Sequence, residues 1–263
     1  MALVHKLGWD PQFMQRSAWF WPLAREAQRF ARLPDWPRFA DFDALYAQRA
    51  AETGAPPLRF ADNVRKQDKR GADGCVVLTA LYDGRIAVRG EVPTRERDWH
   101  DFFNVLCFAS FPRAKNALHR RQYAALQKRV TPGTAKLPNA RTPEQDALTL
   151  FDEGGAVVAA TAEAAAVLAA HDCGQETVER LQQQGVARVV PFGHALFEHL
   201  VEDLRCPGGC THVAVVEALP RDPAALVELV DDCLASALGD PHSFASPRDC
   251  SHLRLDTLGI SPN

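Results

Sequence analysis

A histidine beside a carboxylate is the arrangement in this sequence best suited to chemistry, and two instances carry the argument. In Trp99-His100-Asp101 with Asn104, a helix starting at Asp98 puts His100 and Asn104 on one face, four residues apart, with Asp101 about 100° round the axis. An imidazole with an ordinary pKa near 6.5 is largely neutral at pH 7 and can serve as general base or metal ligand. His100 is therefore read as base or ligand, Asp101 as the group that orients it, and Asn104 as a polar partner beside it. The second pair, His194 and Glu198, is again four apart and directly follows an expected strand, where the free N–H groups of a helix start favour anions. His100, His194, Glu198 and a carboxylate from Asp152-Glu153, with Asp152 taken as the ligand, would supply the N and O donors of a divalent metal site suited to hydrolysis. No local spacing such as His-Glu-x-x-His joins them, so the reading requires distant segments to converge. The plainer alternative makes Asp98 an N-cap, His194-Glu198 a surface ion pair and Asp152-Glu153 a solvated turn.

Two further groups carry weaker signals. Cys206-Pro-Gly-Gly-Cys210-Thr-His212 offers two thiols and an imidazole for tetrahedral zinc, but no second cysteine pair completes the set; a glycine-rich turn with incidental thiols is the alternative. Residues 113 to 129 form an expected amphipathic helix whose Arg113, Lys115, Arg120 and Arg121, continued by Lys128, could bind an anionic small molecule or the phosphates of a nucleic acid. Tyr123 is the only aromatic in that helix, so bases find little stacking surface, and pairing with acidic parts of the same chain is the competing use. Phosphate-loop, dinucleotide-turn and nucleophile-elbow signatures are missing, which disfavours P-loop hydrolases, nicotinamide dehydrogenases and α/β-hydrolases.

The elements that must position these residues follow from composition and pattern. The chain has 263 residues, 46% hydrophobic, with 30 Lys and Arg against 33 Asp and Glu. That near balance conceals a segment from Phe102 to Arg141 with eight cations and no acid, followed by Glu144 to Asp240 with 17 acids and four cations. No apolar run reaches the roughly 18 residues of a membrane span and no secretory signal follows Met1, so a cytoplasmic protein without a membrane partner is expected, with its seven cysteines mostly buried thiols.

The first 54 residues hold four of five tryptophans and read as short helical pieces broken by Pro22, Pro34 and Pro37, an aromatic lid on the later core. Residues 75 to 82 and 85 to 89 flank Asp83-Gly84, the signature of a tight hairpin, and 147 to 151 with 156 to 160 flank Asp152-Glu153-Gly154-Gly155 as a second. Helices are expected from Asp98 to about Val130 with a break at Phe111-Pro112, at 161 to 171, 174 to 184, Gly193 to Asp203 and Asp222 to Leu238; strands at 186 to 191 and 211 to 218. The result is one α+β domain over 1 to 263 with a mainly antiparallel sheet: a lid at 1 to 54, a core at 55 to 240 and an extended surface tail at 241 to 263.

Three stretches resemble a known family. Gly90-Glu91-Val92-Pro93-Thr94-Arg95 leading into Asp98-Trp99-His100-Asp101-Phe102-Phe103-Asn104, then Phe111-Pro112-Arg113-Ala114-Lys115, is similar to the signature of the proteobacterial domain-of-unknown-function family 3025. Asp146 to Glu153, Phe192-Gly193-His194-Ala195-Leu196-Phe197-Glu198 and Leu258-Gly259-Ile260 match its later motifs, while Ser261-Pro262-Asn263 departs from its ending. The resemblance implies a shared fold and carries no established chemistry. The functional expectation is a metal-assisted hydrolase of an anionic, phosphoester-type substrate. The alternatives are a non-catalytic module in which the His, Asp and Asn residues form a buried hydrogen-bond network, and nucleic-acid contact through residues 113 to 129.

Overall fold

The computed structural model describes residues 7–63, 69–131, 133–202, 204, 209–249, 251–255 and 258. The eight longer helices are α1 (Phe39–Thr53), α2 (Trp99–Ser110), α3 (Pro112–Arg129), α4 (Pro143–Gly154), α5 (Ala162–Ala170), α6 (Gln175–Gln183), α7 (His194–Val201) and α8 (Pro223–Gly239). The strands are β1 (Arg59–Ala61), β2 (Glu91–Pro93), β3 (Gly155–Ala160), β4 (Ala187–Pro191), β5 (Gly209–Val215) and β6 (Ser251–Leu253). Two short strands, β1 and β2, pair in parallel, and a four-stranded sheet runs β4-β3-β5-β6. In the larger sheet β3 pairs antiparallel with β4 and parallel with β5, and β5 pairs antiparallel with β6. The protein is α+β, and the larger sheet is mostly antiparallel.

Strand β3 lies at the centre, and all six of its residues are buried. Its alternation divides the packing: Val157 and Ala159 face a cluster with Phe111, Phe151, Phe192 and the apolar side of α8, while Val158 and Ala160 face Leu168, Val178, Leu181 and Leu196. A strand covered on both faces reads as an unbroken apolar run, as Gly-Ala-Val-Val-Ala-Ala does. A third cluster joins Phe13, Phe20 and Phe30 of the first segment to Phe102, Phe103 and Phe108 of α2 and Phe197 of α7. Helix α2 begins at an Asp98 cap that accepts from the Asp101 N–H, and it ends at Phe111, where Pro112 opens α3.

Both expected hairpins are replaced by helix. Leu78–Ala80 and Tyr82–Gly84 are single helical turns, and Arg85–Arg89 is a π-helical turn closed by Gly90. A tight hairpin needs Gly84 at positive φ, whereas its φ is −68°. Glycine is required there for a different reason: a Cβ would lie 2.1 Å from the Leu78 carbonyl oxygen. At the second site Thr142 and Gln145 form a reciprocal capping box, with 3.1 Å bonds each way, and α4 runs through Asp152 and Glu153 to the start of β3. Ala147, Leu148 and Phe151 bury one side of this helix, so helical periodicity prevails over the Gly154-Gly155 turn signal. The tail also differs from the expectation: β6 completes the sheet, and Leu253, Leu255 and Leu258 are buried. Gly259 and Ile260 of the terminal motif lie outside the described residues. Among the described residues no helix is long and apolar enough to cross a membrane.

Candidate metal centre

The register of β3 against β4 is what assembles the site. Because the two strands are antiparallel with Ala156 opposite Pro191, the beginning of β3 meets the end of β4. The last turn of α4, just before β3, is thereby brought against the first turn of α7, just after β4. The junction is tight. Phe192 and Gly193 both donate their N–H to the Gly155 carbonyl at 2.9 and 2.8 Å. A Cβ on Gly193 would fall 2.4 Å from the Gly155 nitrogen and 2.5 Å from the Glu153 carbonyl oxygen, so only glycine fits. Helix α2 packs across α7, with Phe103 and Phe197 rings 5.9 Å apart, and presents His100 from its first turn.

His100, His194 and Glu153 meet there. The Nε2 atoms of the two imidazoles face each other at 3.0 Å, and Glu153 Oε2 lies 3.5 Å from His194 Nε2 and 3.9 Å from His100 Nε2. One ligand atom from each residue falls within 4.8 Å of the other two. Ligand bonds of about 2.0–2.1 Å around tetrahedral zinc give ligand-to-ligand edges of about 3.3–3.4 Å, which the three separations straddle. His100 Nδ1 is bonded to Glu198 Oε2 at 2.8 Å, the carboxylate partner that metal-bound histidines usually carry. His194 is buried, whereas the side chains of His100 and Glu153 are 27% and 45% exposed, so the cluster opens to solvent on the Glu153 side.

Electrostatics separate the two imidazoles. Burial works against a charged His100, but the hydrogen bond and charge of Glu198, with Glu153 and Asp101, outweigh it and raise its pKa. His194 is held well below the usual histidine range, first by burial and then by Lys115 and His100, against the pull of Asp152. Burial pushes the Glu153 carboxyl up. Burial would do the same to Asp152, yet Lys115 and the neighbouring imidazoles hold it well below the usual carboxylate range.

The other expected site residues take different places. Asp101 is clamped by Arg95, at 2.8 Å to Nε and 3.0 Å to Nη2, and the carboxylate bonded to His100 is that of Glu198. One helix turn cannot aim position 101 at the ring of position 100. Glu198, expected as a ligand, meets His100 at Nδ1, while His100 Nε2 faces His194. Asp152 also stands back: its Oδ1 is 2.5 Å from Lys115 Nζ and its Oδ2 is 4.0 Å from His194 Nδ1, while Glu153 reaches the Nε2 atoms. Asn104 is buried, accepting from Lys115 Nζ at 2.8 Å and donating to the Tyr82 hydroxyl at 2.9 Å.

The expected anion-binding face of α3 is largely spent within the chain. Lys115 is fully buried. Arg113 bonds Asp232 at 2.9 Å and the Thr53 carbonyl, and Arg121 bonds Glu144 at 2.7 Å and the carbonyls that end α8. Arg120 is exposed. The charge asymmetry of the sequence is thus met by pairing between α3 and the acidic half. In the cysteine segment, Cys210 is disulfide-bonded, so the thiolate pair of the zinc reading is not free. Cys206 lies outside the described residues, and His212 stacks on Phe244 at 5.0 Å. His119 stacks on Phe108 at 5.3 Å with Nδ1 2.9 Å from Asp83, a pairing that a hairpin turn at Asp83-Gly84 does not provide.

These features define an α+β protein whose sheet register assembles a His-His-Glu cluster that could hold a metal ion. The chain belongs to DUF3025, a family of proteins of unknown function, whose model matches residues 72–261 and so includes every member of the cluster. No curated protein and no solved structure matches it.

Proposed function

We propose that this protein is a metal-assisted hydrolase, with a divalent cation, zinc in the first instance, held by His100 Nε2, His194 Nε2 and Glu153. The carrying observation is the 3.0 Å approach of two imidazole Nε2 atoms beside a carboxylate, with the far nitrogen of His100 committed to Glu198. Three protein ligands leave a coordination position for water on the solvent side, and a zinc-bound water has a pKa near 7, which makes it a nucleophile at neutral pH. With Arg113, Lys115 and Arg121 engaged elsewhere, the cation itself is the charge that an anionic, phosphoester-type substrate would meet. Four free thiols, Cys75, Cys107, Cys173 and Cys233, support a cytoplasmic setting, and the disulfide at Cys210 is the feature that argues against it.

Metal analysis of protein purified without a metal-affinity tag tests the centre. About one equivalent of zinc per chain is expected, lost together with hydrolysis of aryl phosphate esters on dialysis against a chelator. Substoichiometric metal with unchanged melting on chelation would sink the proposal. A second reading, a non-catalytic module fixed by a polar network, draws support from the chain that runs from the exposed Tyr82 through the buried Asn104, Lys115 and Asp152, in which each side chain bonds the next. It expects His100→Ala to lower the melting temperature strongly in metal-free protein by stranding Glu198. The hydrolase reading expects the larger loss in metal content.

A further inference from the structure

The two imidazoles of the cluster differ in one respect that a metal centre should not tolerate. His100 has a carboxylate on its far nitrogen, and His194 does not: His194 Nδ1 is buried without a well-aligned hydrogen-bond partner, the Asp152 main-chain carbonyl attracting the ring, and the carboxylate oxygen Asp152 Oδ2 stands 4.0 Å away. We propose that Asp152, held by the buried Lys115, is the positioning carboxylate of His194, and that the gap closes when a divalent cation binds between the imidazoles. The inference rests on the metal-centre reading and adds the Lys115–Asp152 pair to its machinery.

Tautomers give the reason. His100 Nδ1 faces the Glu198 carboxylate and so carries the proton, which leaves a lone pair on His100 Nε2. With His100 neutral and no cation bound, the facing His194 Nε2 carries a proton to make the 3.0 Å contact favourable, and in that state His194 Nδ1 is left as a bare acceptor with nothing to offer a carboxylate. A cation requires lone pairs on both Nε2 atoms. The His194 proton then moves to Nδ1, which becomes a donor aimed at Asp152 Oδ2, and charge-assisted bonds of this kind settle at about 2.7–2.9 Å.

Lys115 keeps Asp152 in that role. Its ammonium donates to Asp152 Oδ1 at 2.5 Å and Asn104 Oδ1 at 2.8 Å, and stands 4.7 Å from the centre of the Phe108 ring. Asn104 is in turn fixed by the Tyr82 hydroxyl. A carboxylate already neutralised by a buried ammonium is a weak competitor for the metal, which leaves the ligand position to Glu153, while its second oxygen stays free for His194.

Zinc affinity, measured by competition with a chromogenic chelator, tests the inference on the full chain. Asp152→Asn is expected to weaken zinc binding about 10–100-fold and to shift the visible spectrum of the cobalt-substituted protein, a readout that a purely structural ion pair would not move. Asp152→Asn leaves Lys115 buried without its counter-charge, so the double variant Lys115→Met with Asp152→Asn, in which both charges are gone, is the decisive protein. It is expected to fold and to show the same loss. If the parent binds zinc and the double variant binds it within twofold of the parent with an unchanged cobalt spectrum, Asp152 is only a core salt bridge and this inference falls while the metal centre stands. If the parent binds no zinc, the metal-centre reading fails and the inference with it.

Discussion

His100 places its two nitrogens in different surroundings, one on Glu198 and one toward His194, and this asymmetry sets its chemistry. A cation must displace any proton on His100 Nε2, and Glu198 raises the pKa of that ring above the ordinary 6.5. Zinc affinity is therefore expected to fall as pH drops through a value above 6.5, measured by competition titration between pH 5 and 8. Glu198→Gln removes the charge that raises it, so the midpoint should move to lower pH while affinity at pH 8 falls roughly tenfold. A parent whose affinity is flat across that range would show that His100 is not a ligand. Asp101→Asn, by contrast, loosens chiefly the Arg95 clamp and the loop before α2 and removes only the smallest of the charges acting on His100, and should leave metal affinity within about twofold.

At the scale of elements, the starts of α3 and α7 carry the clearest energetic consequences. Asp231 of α8 reaches the open end of α3, accepting from Arg113 N–H at 3.1 Å and Ala114 N–H at 2.8 Å, and so caps a helix from outside it. Burial pushes its carboxyl up to about 7 from an ordinary 3.8, with those N–H groups and Arg113 pulling the other way. A folded-state pKa above the unfolded one means a contribution fully present below about pH 4 and lost as pH rises through about 7. Urea denaturation at pH 5 and 8 should therefore show lower stability at pH 8, and Asp231→Asn should flatten the difference. At the other junction, Gly193→Ala forces a Cβ against the Gly155 nitrogen and the Glu153 carbonyl. A loss of roughly 1–3 kcal/mol is expected in denaturation, with a matching loss of metal binding, because Glu153 and His194 flank the contact.

For the whole molecule, the first segment is part of what holds the site. The Phe20 ring lies 5.4 Å from Phe103 of α2 and 5.9 Å from Phe197 of α7, so it packs against both helices that carry His100 and His194. This buttress lies outside residues 72–261, the part matched by the family model. Phe20→Ala is expected to cost about 3–5 kcal/mol and to weaken zinc binding, although residue 20 touches no ligand. Unchanged zinc affinity in a folded Phe20→Ala protein would show that α2 and α7 hold their register without it. The same packing makes the aromatic segment more than a cover, since Phe13, Phe20 and Phe30 share one core with α2.

The sequence by itself determined what is set by near neighbours along the chain. The Asp98 cap, the Phe111-Pro112 break, the Asp222 cap of α8 and the strand before His194 are local choices of backbone and cap, and they lie where the pattern puts them. His100 and His194 were legible as candidates for the same reason, each four residues from a polar partner. The two helical stretches read as hairpins were lost to nonlocal packing at Gly84 and to a capping box at Thr142 that competed with a Gly-Gly turn signal. Only the tertiary structure decided which groups meet. The β3–β4 register brings Glu153 to His194, the burial of α4 along Leu148 and Phe151 turns Asp152 inward, and Lys115 exchanges a solvent face for a buried carboxylate. Those outcomes depend on contacts between residues tens of positions apart, whose energies no local periodicity encodes.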